Sequence, residues 1–157
     1  MLTRKPRQAP ELRPLTFPDL NASGGAGGRR LREVELANFR IGAIDLADTD
    51  LRSAGIENYK LDWVNLGAAR LTDVLLHDCS FGELNLNGAE GTRVAFADCR
   101  AETVTVTRER LRDTDLRGVN FARLDGPEGL RGVALDERQL TAVTGSFAQY
   151  LGVRINE

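Results

Sequence analysis

The residues of this sequence that could perform chemistry are one histidine, His77, two cysteines, Cys79 and Cys99, and a set of carboxylates. A single histidine excludes a multi-histidine metal site and a zinc finger, because such sites need several nitrogen or sulfur ligands. Two cysteines exclude a disulfide-dense secreted scaffold. The chain also lacks a nucleophile elbow, a phosphate-binding loop and a paired-carboxylate motif. We therefore expect no catalytic residue, no cofactor, no metal site and no enzymatic activity.

Length and charge set further bounds. The chain has 157 residues, of which 21 are basic and 23 acidic, and its formal net charge is −2. This balance gives no overall field that would attract nucleic acid or a membrane surface. No apolar run approaches the roughly 18 residues of a membrane-spanning helix. The start, MLTRKPRQAP, lacks the apolar segment of a secretory signal, so we expect a cytoplasmic protein.

A five-residue period organises the middle of the chain. From Leu31 to Phe121 every fifth residue is large and apolar, except Gly91 and Ala101. Residues two places earlier are small or apolar, apart from Arg29 and Glu109. A period of five matches neither the roughly 3.6-residue period of a helix nor the alternation of a strand. Each pentapeptide is therefore predicted to form one side of a square coil, with successive coils paired as parallel strands about 4.8 Å apart.

The pentapeptides ANFRI, ADTDL, NGAEG, ADCRA and GVNFA fit the pattern A(D/N)LXX, and on these residues the chain resembles the pentapeptide-repeat family. The resemblance covers residues 29–123, and it implies an all-β solenoid of the right-handed quadrilateral β-helix type, here with nearly five coils. The segment LRGVALDERQLTAVTGSFAQYLGVRI is similar to the closing helix of many members, and such helices dimerise some of them. The predicted fold is therefore a quadrilateral β-helix with a C-terminal capping α-helix.

The parts on either side of the repeats differ in composition. Residues 1–28 form a basic, Pro/Gly-rich tail and linker, and residues 124–157 form a closing segment. Apolar residues of the tail are predicted to cover the first coil, whose edge would otherwise be unpaired: Leu12, Leu15, Phe17 and Leu20.

The closing segment begins where the register is predicted to break, at residues 124–127. A last strand is predicted at 132–135, followed by a helix with Asp136 as N-cap and Gln139 as its capping-box partner. An apolar stripe on this helix is predicted to cap the last coil: Leu140, Val143, Phe147, Tyr150 and Leu151. The C-terminal part of the stripe is also the candidate interface of a homodimer: Phe147, Tyr150 and Leu151.

Residues 20 apart are predicted to stack in columns. Cys79 and Cys99 then lie next to each other, facing inward, either as packed free thiols or as a disulfide. Gly91 leaves a small gap near Glu109. The two alternatives there are a water or ligand site beside an inward carboxylate, and local unwinding that exposes Glu109 to solvent.

One outward side is predicted to be acidic, with Arg117 as its only base, and it displays Glu35, Glu57, Asp78, Asp98 and Asp115. This stripe is either a solvated face or a binding surface that imitates a phosphate backbone. Trp63 is predicted to point outward as well. It is either a single exposed residue without a binding role or an anchor for a partner. His77 is expected to be a solvated surface residue.

Two functions remain after enzymes are set aside. The first is a rigid rod that acts as a protein-interaction scaffold for an unknown partner. The second comes from the resemblance, because pentapeptide-repeat proteins that protect DNA gyrase from quinolones look like acidic rods of duplex dimensions. The near-neutral charge and the arginine-rich opposite side depart from that pattern.

Overall fold

The structure is a computed structural model, and it describes residues 13–14, 30–37, 40–107, 111, 113–154 and 156. The predicted contact of Leu12, Leu15, Phe17 and Leu20 with the first coil lies outside these residues, as does Glu109. Within the described residues, no helix is long and apolar enough to cross a membrane.

Parallel strands dominate the described residues, and a single helix follows them. The strands are β1 (Arg13–Pro14), β2 (Arg30–Ala37), β3 (Arg40–Asp45), β4 (Asp50–Glu57), β5 (Lys60–Asn65), β6 (Arg70–His77), β7 (Ser80–Asn85), β8 (Glu90–Ala97), β9 (Cys99–Thr105), β10 (Thr114–Asp115), β11 (Val119–Asp125) and β12 (Val133–Ala134). A short 3-10 turn at Pro127–Leu130 precedes β12, and helix α1 spans Glu137–Tyr150.

The strands form two parallel sheets. One sheet has the order β1-β2-β4-β6-β8-β10-β12 and the other β11-β9-β7-β5-β3. From β2 to β11 the register is constant, since Leu51 pairs with Leu71 and Asn65 with Asn85, 20 positions later. The terminal strands deviate by one residue, because Arg13 of β1 pairs with Val34 and Thr114 pairs with Val133 of β12. The chain is therefore a β-solenoid, as the five-residue period predicts, with about 4 turns where the sequence predicts nearly five coils. Residues 108–110 and 112, in the last of the predicted coils, are outside the described range.

Inward side chains fill the solenoid with apolar groups. The two predicted inward positions of each pentapeptide are buried throughout the central coils, with Leu46, Leu66, Leu76 and Leu86 at most 2 % exposed. The register also extends further than predicted, because β11 continues to Asp125 and Leu124 is buried. Apolar stacking between coils thus holds the described part of the solenoid together from Ile44 to Leu124.

Most corners of the coil use left-handed backbone conformations. Positive φ angles occur at non-glycine corner residues, namely Asp48, Ser53, Asn58, Ala68, Asp73, Asp78, Arg93, Asp98 and Asp113. Asn and Asp tolerate this conformation better than other residues with a side chain. The polar column Asn58, Asp78, Asp98 therefore has a conformational cause that is independent of any binding role.

An amide ladder supports another corner. The Asn65 side chain donates to Asp45 Oδ1 at 3.0 Å and accepts from Asn85 Nδ2 at 3.1 Å. Asn65 Oδ1 also accepts the backbone N–H of Gly67 at 2.9 Å. Each amide thus fixes its own turn and links it to neighbouring coils.

Helix α1 closes the C-terminal end as a cap. The predicted capping box is present, with Gln139 N donating to Asp136 Oδ1 at 2.8 Å and Asp136 N donating to Gln139 Oε1 at 2.9 Å. Gln139 Nε2 also donates to the carbonyls of Leu116 and Val119 in the last coil. Just before the helix, β12 pairs with β10, which confirms the predicted last strand.

The buried face of α1 differs from the predicted apolar stripe. Only Gln139 and Val143 are buried on the helix, whereas Leu140 is 55 % exposed. Ser146 Oγ donates to the carbonyl of Leu124 at 2.8 Å. The helix lies across the open end of a coil, where it meets backbone carbonyls, so polar side chains occupy part of its contact face.

Candidate interaction surfaces

The acidic side follows the ends of the strands in the larger sheet. Glu35 lies in β2 opposite Gly55, and Glu57 ends β4. Asp78 and Asp98 are exposed corner residues after β6 and β8. Asp115 ends β10. The register therefore brings residues 57, 78, 98 and 115 to one side of the solenoid, and position 35 lies in the same column as Asp115.

His77 lies between two of these carboxylates, contrary to the expectation of an isolated surface residue. Its Nδ1 is 3.4 Å from Glu57 Oε1, and its Nε2 is 3.4 Å from Asp98 Oδ2. The register explains this, because Glu57 and His77 are paired residues of β4 and β6. The acidic side thus contains a second base, and three successive coils are linked through one imidazole.

The two carboxylates favour the charged imidazolium form. The hydrogen bond to Glu57 is the largest cause and raises the pKa of His77 above its ordinary value of 6.5; burial opposes this, and the contact with Asp98 raises the pKa further. His77 is still 44 % exposed at its side chain, so the contacts are partly screened by water. The cluster is suited to linking coils at low pH, when the imidazole is protonated.

A third carboxylate of the acidic side is also paired. Asp115 Oδ2 is 2.7 Å from Arg117 Nη2, and Asp115 Oδ1 accepts the Arg117 backbone N–H at 3.0 Å. With His77 between Glu57 and Asp98, this pairing leaves a much weaker negative stripe than the sequence suggests.

The arginine-rich side is paired in the same way. Arg52 contacts Asp50 at 3.1 Å, Arg93 contacts Asp73 at 2.7 Å, and Arg70 approaches Glu90 at 3.6 Å. These exposed pairs are worth little stability individually. They reduce the net field of this side, so the described residues do not form an open basic patch there.

Trp63 lies on the outer surface, as predicted, but it is only partly exposed. In β5 it pairs with Ala43 of β3 and with Glu83 of β7. Its corner is one without a left-handed residue, since neither Trp63 nor Glu83 has a positive φ. The indole is therefore half-buried between a small and an acidic neighbour, and its role as an anchor for a partner stays a prediction.

The candidate dimer residues separate into two groups. Phe147 packs partly buried against the core of its own chain, so it belongs to the cap. Tyr150 and Leu151 are 59 % and 70 % exposed, and Leu140 and Val153 are each 55 % exposed. The exposed apolar residues at this end thus include two that the predicted interface did not contain.

The cysteines occupy the predicted inward column as free thiols. Cys79 and Cys99 are 1 % and 4 % exposed, and neither forms a disulfide. Each thiol donates to backbone carbonyls. The distance from Cys79 Sγ to the carbonyl oxygen of His77, for example, is 3.3 Å. The hydrogen bond with Cys99 and burial raise the pKa of Cys79, and burial raises the pKa of neighbouring Tyr59 to about 12. Both thiols therefore act as packing groups.

The predicted gap at Gly91 is filled. A Cβ on Gly91 would lie 2.6 Å from Thr114 Oγ1 and 3.1 Å from Leu111 Cδ2, so side chains of the next coil occupy the space. The Thr114 hydroxyl is buried without a hydrogen-bond partner among the described residues. The gap predicted at Gly91 as a water or ligand site is therefore not present, because side chains fill it.

A groove on the smaller sheet has no counterpart in the sequence-based predictions. It lies over β5, β7, β9 and β11 as a shallow, open groove with a volume of about 630 Å³. The sequence does contain a signal for this groove. Opposite charges occur two residues apart at 60 and 62, and the same pattern recurs two coils later at 100 and 102. The coil between them has the small residues Ser80 and Gly82 at the equivalent positions. Among the described residues, no group of three or more acidic, histidine or cysteine side chains could hold a metal ion.

No protein-family model matches this chain, and no curated protein matches it.

Proposed function

We propose that this protein is a non-enzymatic interaction scaffold, a rigid rod related to the pentapeptide-repeat proteins, with a protein partner that is not yet known. The observation that supports it best is the continuous apolar filling of the solenoid, from Ile44 to Leu124. A filled interior places recognition on the outer sides, which the constant register keeps straight and evenly spaced.

The groups with catalytic potential support this choice. Cys79 and Cys99 are buried within the core. His77 ends β6, with its two nitrogens directed to carboxylates. A general base needs a substrate held within hydrogen-bonding distance, and both nitrogens of His77 already face the carboxylates of Glu57 and Asp98.

Location and assembly are part of the same proposal. Two free thiols in neighbouring coils fit a reducing compartment, which supports the cytoplasm. The exposed residues Tyr150 and Leu151 support a homodimer formed through the C-terminal helix. In such a dimer two rods would present their sides as one longer platform.

Site-specific photo-cross-linking in cells tests the scaffold proposal. A photoreactive amino acid is placed at Thr72, Leu75 or Ser80, which point outward from different parts of the coil, and at Asn156 in the tail as the matched control. We expect a discrete protein adduct from one side, which excess unlabelled protein competes away. Identical adduct patterns from all four positions would contradict a specific binding side.

A DNA-mimic role toward gyrase is the second candidate function. It is favoured by Glu57, Asp78 and Asp98, which stand in successive coils along one side. Coil spacing of about 4.8 Å is shorter than the separation of phosphates along a strand, so any mimicry would depend on the electrostatic field. The neutralising position of His77 argues for this role being the weaker of the two.

A supercoiling assay with purified gyrase, with and without a quinolone, tests the second candidate. The variant Glu57→Gln/Asp78→Asn/Asp98→Asn removes the charges, and asparagine tolerates the left-handed corners at 78 and 98. If the DNA-mimic role is correct, wild type inhibits or protects gyrase, its effect falls steeply with salt, and the triple variant has none. Equal activity of the variant, or no activity of wild type, would refute it.

A further inference from the structure

The groove over the smaller sheet has a bare floor and charged walls. Between β5 and β9 the floor is β7, at Ser80 and Gly82, and the groove continues beyond β9 over β11. The walls come from the coils on either side and consist of Lys60 and Asp62 on one wall and Arg100 and Glu102 on the other. The volume of about 630 Å³ lies within the usual range for binding sites.

The register arranges the wall charges in two rows. Lys60 pairs with Ser80, and Ser80 pairs with Arg100, so the two cations stand on either side of the serine. Two coil spacings separate them by about 10 Å. Asp62 and Glu102 stand in the same way on either side of Gly82. Because residues two apart on a strand are about 7 Å apart, the cationic and anionic rows have that separation.

The wall charges are unpaired within the described part of the chain. Lys60 and Asp62 have the same two-residue separation as Asp50 and Arg52, which are bonded at 3.1 Å. None of the four wall residues has an ion pair or a side-chain hydrogen bond there, although all four are exposed. Their charges are therefore available to a ligand.

The backbone keeps the floor bare. A Cβ on Gly82 would collide with the carbonyl oxygen of Asp62, so no side chain can occupy this position. The neighbouring floor residue, Ser80, is short. The groove therefore remains open between the two walls, with Phe81 buried beneath it.

We propose that this groove binds an extended segment of the partner protein in which an acidic and a basic side chain are two residues apart. Such side chains point to the same face of an extended chain and are about 7 Å apart, which matches the separation of the two rows. The acidic side chain lies over Ser80 between Lys60 and Arg100. The basic side chain lies over Gly82 between Asp62 and Glu102. This proposal rests on the scaffold function and names the side and the partner chemistry.

The size of this side favours a segment over a second copy of the chain. Four strands at about 4.8 Å and a side about 10 Å wide give roughly 200 Å². A stable protein interface needs about 800 Å² from each partner. A single extended segment fits the available surface.

Titration of the isotope-labelled full chain by NMR tests the proposal. The probe is a capped, threonine-flanked peptide with glutamate and lysine two residues apart, and the control peptide has the same composition with the two charges adjacent. We expect saturable shifts of the Ser80 and Gly82 amide signals with the first peptide. Binding of the control should be about fivefold weaker, because its charges point to opposite faces. Equal binding of both peptides, or shifts only elsewhere, would overturn the proposal.

Charge-reversed variants separate the groove from general electrostatics. Lys60→Glu/Arg100→Glu should abolish the shifts, whereas Arg70→Glu/Arg123→Glu, with the same change in net charge, should leave them intact. Unchanged core signals show that both variants are folded. Equal loss in the two variants would refute a groove-specific site.

Signals at Ser80 and Gly82 that move with protein concentration alone would instead assign the groove to a second copy of the chain. Loss of peptide binding with retained cross-links on another side would overturn this proposal and leave the scaffold function standing.

Discussion

At the residue scale, His77 should titrate above its ordinary pKa of 6.5. Because the pKa is raised in the folded state, the stabilisation is full below the unfolded value and is lost as pH rises through the folded pKa. NMR titration of the imidazole checks this. In the variant Glu57→Gln/Asp98→Asn the pKa should return toward 6.5. An unchanged pKa in that variant would mean that the two carboxylates do not cause the shift.

Leu76 and Thr72 lie on the same strand and test which side chains face inward. Leu76 is 1 % exposed, so Leu76→Ala should reduce the free energy of unfolding by about 2–5 kcal/mol through the cavity it leaves. Thr72 is on the outer surface, and Thr72→Ala should change it by no more than about 0.5 kcal/mol. Urea denaturation of both variants makes the comparison. Similar losses would contradict the register.

Residue-level predictions from the sequence succeeded where the period alone decides the environment. The inward positions of Cys79 and Cys99 follow from counting in fives, and both are buried. The role of His77 does not follow, because its contact with Asp98 is diagonal and depends on how far each side chain reaches across a corner. The filling of the space at Gly91 likewise depends on the shapes of Leu111 and Thr114.

At the element scale, Gln139 should be the residue on which helix α1 depends most. It takes part in the capping box and donates to two carbonyls of the last coil. Gln139→Ala should cost about 2–4 kcal/mol, because it removes a cap and leaves buried acceptors unpaired. The matched control is Gln149→Ala at an exposed position of the same helix. Hydrogen exchange should show faster opening of α1 and β11 in the first variant, and equal protection in both would contradict this role.

The helix shows why sequence pattern predicts an element better than its contacts. The N-cap and capping box were read correctly from Asp136 and Gln139. The buried face was assigned by hydropathy, and Leu140 is largely exposed instead. Hydropathy describes packing against side chains, whereas the end of a coil presents carbonyl groups such as that of Leu124.

At the scale of the whole molecule, circular dichroism should report mainly β structure. Helix α1 contributes 14 residues, and the other regular elements of the described chain are strands apart from one short 3-10 turn. A spectrum dominated by helix would contradict the solenoid.

Assembly through the C-terminal end is a second prediction at this scale. If Tyr150 and Leu151 form a homodimer interface, Tyr150→Asp should give a folded monomer by light scattering, because a buried carboxylate is costly. Gln149→Asp, one residue away on another face of the helix, should remain dimeric. A wild-type protein that is monomeric at high micromolar concentration would rule this dimer out.

The overall architecture was predictable because one number, the five-residue period, determines the coil, the register and the core together. The groove was not, because it depends on what is missing at Ser80 and Gly82 between charged neighbours. The five-residue period shows which positions are equivalent, whereas the groove arises because equivalent positions in neighbouring coils carry different residues.

The 20-residue register also has a genetic consequence. Duplication or loss of one whole coil joins like corner to like corner, so the rod can lengthen or shorten by about 4.8 Å without a new fold. An insertion that is not a multiple of five residues would turn an inward leucine toward solvent, and a multiple of five other than a whole coil would stack unlike corners. A change of length is therefore stepwise, and a step placed between β5 and β9 would widen the spacing of the groove walls while leaving both ends of the molecule as they are.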